Sequence, residues 1–97
     1  MNTQKDNKKN NNWTKKVKLT KHFIERYYER ILDKHLPQKF HYGKVQRKVY
    51  RDMDSRLMDR EKNFIELFSS PGRIIKIPFE GHNQIVIQNR KLVTVLN

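Results

Sequence analysis

From Thr20 onward, apolar and polar residues alternate in pairs: Phe23-Ile24, Glu25-Arg26, Tyr27-Tyr28, Glu29-Arg30, Ile31-Leu32 and Asp33-Lys34. A repeat close to four residues, held for about three turns, gathers the apolar pairs on one face of an amphipathic helix. Thr20 has the short hydroxyl side chain favoured at an N-cap. Pro37 closes the segment, because the residue before a proline is pushed out of helical geometry. A second helix is predicted over about 44–58, where Val45, Val49, Met53 and Leu57 recur every four residues. The stretch 59–68, with Phe64, Ile65 and Phe68, either prolongs that helix or forms a third one. Ser69-Ser70-Pro71-Gly72 then breaks the pattern.

Beyond Gly72 the texture changes to β-branched residues between turn signals. Residues 73–79, 84–88 and 91–96 are separated by Glu80-Gly81-His82-Asn83 and by Asn89-Arg90, which predicts a three-stranded antiparallel meander. Pro78 has no N–H to give a ladder, so the first of these strands is expected at an edge or with a bulge. In the last strand a strict two-residue period puts Leu92, Thr94 and Leu96 on one face and Val93 and Val95 on the other. The fold class expected is α+β: two or three N-terminal helices packed on a C-terminal antiparallel sheet of three to four strands. The sheet face away from the helices is left for a partner.

At 97 residues and 35% hydrophobic, the chain has material for one small domain and not for a multidomain enzyme. Residues 1–16 hold five Lys and five Asn against one Asp, with Trp13 as their one aromatic group. Too little apolar surface is available there to offset ordering, so a disordered basic arm is expected in front of a domain at 17–97. The 22 Lys+Arg against 10 Asp+Glu give a net +12; subtracting the arm's five Lys less one Asp still leaves +8 on the remaining residues. There is no Cys, hence no disulfide and no thiolate metal site. Apolar runs are only a few residues long, against the roughly 18 to 20 of a membrane span, and the first 16 residues lack the apolar stretch of a secretory signal. A cytoplasmic protein without membrane contact is expected.

Charge this far from zero concentrates polyanions at a surface, which makes nucleic acid the first partner class. Lys39, Lys44, Arg47, Lys48 and Arg51 follow one another with no acid among them, and Phe40, His41, Tyr42 and Tyr50 are interleaved. Cations beside flat rings suit RNA or another single-stranded nucleic acid, the backbone meeting charge while bases stack. Tyr42 and the five cations are therefore the candidate binding residues; the competing reading is a solvated helix face whose rings belong to the core. A second group is His22, Arg26 and Arg30, at i, i+4 and i+8. A histidine beside two guanidinium groups can move a proton while the arginines hold a phosphate. The alternative is that Glu25-Arg26 and Glu29-Arg30 form ordinary surface pairs. His82, in the first meander turn, and Thr94, a hydroxyl in an otherwise apolar strand, are further candidates for acid–base work and phosphate contact. The chain has no His-Glu-x-x-His motif, Asp52 and Asp54 fall on different sides of a helix, and the three glycines are scattered. No metal and no cofactor are expected.

The opening Thr20-Lys21-His22-Phe23-Ile24-Glu25-Arg26-Tyr27-Tyr28-Glu29-Arg30, with the closing Asn83-Gln84-Ile85-Val86-Ile87 and Lys91-Leu92-Val93-Thr94-Val95-Leu96, resembles the small barnase/EndoU/colicin/RelE group of metal-independent RNases. Within it the likeness is to short phage and mobile-element proteins that begin on such a helix and end in a Val-Thr-Val strand. It covers both ends of residues 20–96 and not the middle. The resemblance implies helices on an antiparallel sheet with RNA across the open face, His22 as general acid or base, Arg26 or Arg30 on the phosphate, and Thr94 as a hydroxyl contact. It implies an endoribonuclease of toxin or phage-effector type, for which an antitoxin is a partner class. Two other readings stay open: a non-catalytic nucleic-acid-binding protein, and a small phage protein that docks on a host protein and changes its activity.

Overall fold

A computed structural model describes residues 12–97; most of the expected arm, up to residue 11, lies outside the described residues. In chain order the elements are α1 (Trp13–Lys16), β1 (Lys18–Leu19), α2 (Lys21–Tyr27) running into a π-helical turn (Tyr28–Leu32), α3 (Tyr42–Arg56), α4 (Asp59–Phe68), β2 (Ile74–Phe79), β3 (Asn83–Gln88) and β4 (Lys91–Leu96). The four strands form one sheet in the order β1-β4-β3-β2. The class is α+β, as the pattern predicts. The sheet is mixed rather than wholly antiparallel, because β1 pairs parallel to β4 through Lys18 with Lys91 and Leu19 with Leu92.

Strand alternation explains most of the meander. Ile75, Ile77 and Phe79 of β2 are buried, while Ile74, Lys76 and Pro78 between them are exposed. Ile75 and Ile77 face Ile87 and Ile85 of β3, which carries the same inner face across. β2 is an edge strand, the place a proline tolerates. Asn89 and Arg90 join β3 to β4 with φ of 54° and 61°, the two positive values of a type I′ hairpin turn. In β4 the strict alternation fails. Val86 pairs with Thr94, yet the next residue, Ile87, pairs with Leu92, so Val93 is an extra residue. Such a bulge resets the period: Leu92 and Val95 both enter the core, and Thr94 and Leu96 stay out of it.

The helix signals hold with shifted ends. Thr20 Oγ1 accepts the Phe23 N–H at 3.1 Å and donates to the Leu92 carbonyl at 2.8 Å, capping α2 and tying its start to β4. The helical run stops at Leu32 and not at Pro37, since Asp33 adopts the left-handed conformation (φ 55°) that ends a helix. α3 begins at Tyr42, ahead of the expected start, because His41 caps it by accepting the Lys44 N–H on Nδ1 at 3.2 Å. Leu57 and Met58 are extended, so the stretch 59–68 is a separate helix; Glu61 Oε1 accepts the Met58 N–H at 2.8 Å and holds its first turn.

The boundary expected at residue 17 moves. Trp13 is fully buried, stands edge-on to Tyr50 at 5.8 Å, and donates from Nε1 to Asp54 Oδ1 at 2.9 Å. Residues 13–16 therefore belong to the domain, and the single aromatic group in a polar stretch supplies the burial its neighbours lack.

Candidate nucleic-acid interface

On α3, Val49 and Met53 are buried, and the opposite side carries Lys44, Arg47, Lys48 and Arg51, all exposed. At 3.6 residues per turn these four fall within an arc of roughly 100°. No carboxylate lies in that arc. The helix has two acids, and both are turned to internal partners. Asp52 Oδ2 accepts from the Tyr27 hydroxyl at 2.6 Å and from Arg56 Nε at 2.8 Å. Asp54 Oδ1 accepts from Trp13 Nε1 at 2.9 Å and pairs with the buried Lys62 Nζ at 3.1 Å. Arg56 is further held by Glu80 at 3.1 Å. The acids thus bind the helices to each other, and the cations are left facing water.

The rings near these cations have structural duties. Tyr50 donates its hydroxyl to the Val17 carbonyl at 2.6 Å, and Tyr42 donates to that of Leu19 at 3.3 Å, so both brace α3 against the start of the sheet. Burial pushes the Tyr50 hydroxyl up from its ordinary value, which keeps it a neutral donor. Tyr42 stays partly exposed and stands 6.3 Å from the Phe40 ring, but its hydroxyl is spent. Lys48 Nζ lies 5.7 Å over the Tyr28 ring, a cation–π contact that leaves the side chain at the surface. Lys39 is exposed in the loop before α3.

The second group is dispersed. Arg26 closes on Glu29 at 3.1 Å, the surface pairing weighed as the alternative reading of this row. Arg30 donates to the Val95 carbonyl on β4. His22 is exposed and makes no hydrogen bond or ion pair among the described residues. It lies in the first turn of α2, beside Leu92, whereas His82 sits in the β2–β3 turn, beyond the pairing of Gln84 with Leu96. The two histidines are therefore at opposite ends of β4. Thr94 faces out of the core opposite Val86. Among the described residues no hydrogen bond or ion pair joins any two of His22, Arg26, Arg30, His82 and Thr94.

Sequence reasoning missed two arrangements. In the first, the Tyr27 hydroxyl is pushed above its ordinary range by burial, with the hydrogen bond to Asp52 reinforcing the shift; it is a fixed neutral donor joining α2 to α3. The second is a depression of about 340 Å³ at the hairpin end of the sheet, lined by Lys15, Lys16, Lys18, Asn89, Arg90 and Lys91, with no carboxylate. No sequence pattern announces it, since its two halves lie far apart in the chain.

Compared with family models, with curated proteins and with solved structures, the chain matches none of them. Among the described residues no helix is long and apolar enough to cross a membrane. Nor do they include a group of three or more His, Asp or Glu placed to hold a metal ion.

Proposed function

We propose that this chain is a nucleic-acid-binding protein that holds single-stranded RNA by its phosphate backbone along the outer face of α3. One observation carries the reading: Lys44, Arg47, Lys48 and Arg51 share an exposed arc, and the aspartates that flank it, Asp52 and Asp54, are engaged by Tyr27, Arg56, Trp13 and Lys62. Each cation that neutralises a phosphate releases a condensed counterion, which gives affinity without base recognition. The tyrosine hydroxyls beside the arc are engaged with main-chain carbonyls and are not free to read base edges, which favours little sequence preference.

Titrating a labelled single-stranded RNA at rising salt tests this. Four phosphate contacts predict a log–log slope of about −3, at about 0.7 per contact. Absence of binding at low ionic strength, or affinity indifferent to salt, overturns the reading. The same RNA incubated with the protein and EDTA is expected to stay intact. Fragments with 2′,3′-cyclic phosphate ends, abolished by His22→Ala, would replace binding with metal-independent RNA cleavage as the function.

A further inference from the structure

The depression at the hairpin end is built from three parts of the chain. α1 supplies Lys15 and Lys16, β1 supplies Lys18, the β3–β4 turn supplies Arg90, and β4 begins with Lys91. One main-chain and one side-chain bond fix this corner: Lys18 N–H donates to the Arg90 carbonyl at 3.0 Å, and the Asn89 side chain accepts the Gly72 N–H on Oδ1. Five cations held in one concave place repel one another, and none of the described residues that line it is acidic. An arrangement of this kind is relieved by an anion carrying several charges.

Its position relative to α3 says more. On the other flank of α1, Thr14 lines a shallow surface with Arg47, Tyr50, Arg51 and Asp54. Arg47 and Arg51 belong to the α3 arc, and Lys15 and Lys16 belong to the depression, so one short helix separates the two cationic places. A helix with its side chains is about 10 Å across, so the crossing is short. The one carboxylate along that crossing, Asp54, is already engaged by Trp13 and Lys62.

We infer that the depression lined by Lys15, Lys16, Lys18, Arg90 and Lys91 is a second phosphate site for the same strand, reached from α3 across α1. The inference rests on the reading of α3 given above. It makes binding bipartite. An oligonucleotide too short to bridge is held at one place at a time, and a longer one gains from the second contact at high effective concentration.

The experiment compares a tetranucleotide with a 16-nucleotide RNA on the full chain and on the Lys18→Gln/Arg90→Gln/Lys91→Gln variant, whose three side chains are exposed. The variant is expected to bind the 16-mer about tenfold more weakly and the tetranucleotide no more than about twofold more weakly. On the unaltered chain, the 16-mer should protect Lys15, Lys16, Lys18 and Lys91 from acetylation at concentrations about tenfold below those at which the tetranucleotide does so. If the variant keeps full affinity for the 16-mer, or if these lysines stay reactive while α3 lysines are protected, the second site is wrong and the α3 reading stands. Failure of both oligonucleotides to bind the unaltered chain removes both.

Discussion

Along α2 and the π-helical turn that continues it, Arg26 closes on Glu29 and Arg30 donates to the Val95 carbonyl, whereas on α3 Lys44, Arg47, Lys48 and Arg51 face water with no carboxylate in their arc. Both rows have cations at helical spacing. What separates them is where the acids fall. Along α2, Glu25 and Glu29 alternate with the arginines, so a partner is one turn away. Along α3 the acids come late, as Asp52 and Asp54, and they are collected by three groups from other elements, Tyr27, Trp13 and Lys62, together with Arg56 at the end of α3 itself. A basic row becomes available to a partner when the packing of the domain has consumed the neighbouring carboxylates, and counting lysines and arginines does not reveal this.

The contrast can be broken most forcefully at Trp13. Trp13→Ala removes a fully buried ring and one of the donors to Asp54, and it should lower unfolding free energy by about 3–5 kcal/mol in denaturant titration. A loss under about 1 kcal/mol would mean that α1 does not hold Asp54 away from the arc. Next in size is the direct comparison of the rows by RNA titration. Replacing Lys44, Arg47, Lys48 and Arg51 together by Gln should cost at least about 100-fold in affinity and flatten the salt slope, while His22→Ala with Arg26→Gln should change affinity less than about threefold. Equal losses in the two variants would erase the distinction. Arg30→Ala sharpens it. Its guanidinium is partly exposed, so losing the bond to Val95 should cost about 1 kcal/mol of stability and leave RNA affinity within about twofold.

Tyr27→Phe removes a hydrogen bond to a carboxylate and should cost about 1.5 kcal/mol at neutral pH. Its pH dependence carries a sign. The folded state holds the Tyr27 proton more tightly than the unfolded chain, whose hydroxyl has the ordinary value of 10.0. That contribution is fully present below this value and drains away as pH rises beyond it. Unfolding titrations of the parent chain should show stability falling above pH about 10, and the phenylalanine variant should fall less steeply.

Both long helices and the three-stranded meander were legible because each is specified locally, by the cap at Thr20, the four-residue spacing along α3, and the turn pairs between strands. The four cations of α3 were legible for the same reason: one helix holds them all. What escaped depends on distant partners. The bulge at Val93 is decided by pairing with β3, the burial of Trp13 by contact with Tyr50 and Asp54, and β1 by a parallel match to Lys91 and Leu92 that no local pattern encodes. His22, Arg26 and Arg30 form a row in sequence spacing alone. Its fate turned on Glu29 and on a carbonyl of β4, and the hairpin-end depression joins residues from opposite ends of the chain.

The two margins of the sheet are closed by different means. β1 covers the start of β4 and Arg30 takes the carbonyl of Val95 further along, while the β2 margin carries Pro78, which lacks an amide hydrogen, and the charged Lys76. Neither border offers another polypeptide an uninterrupted ladder to extend. Copies of the chain brought close together therefore meet without their sheets fusing into fibrils.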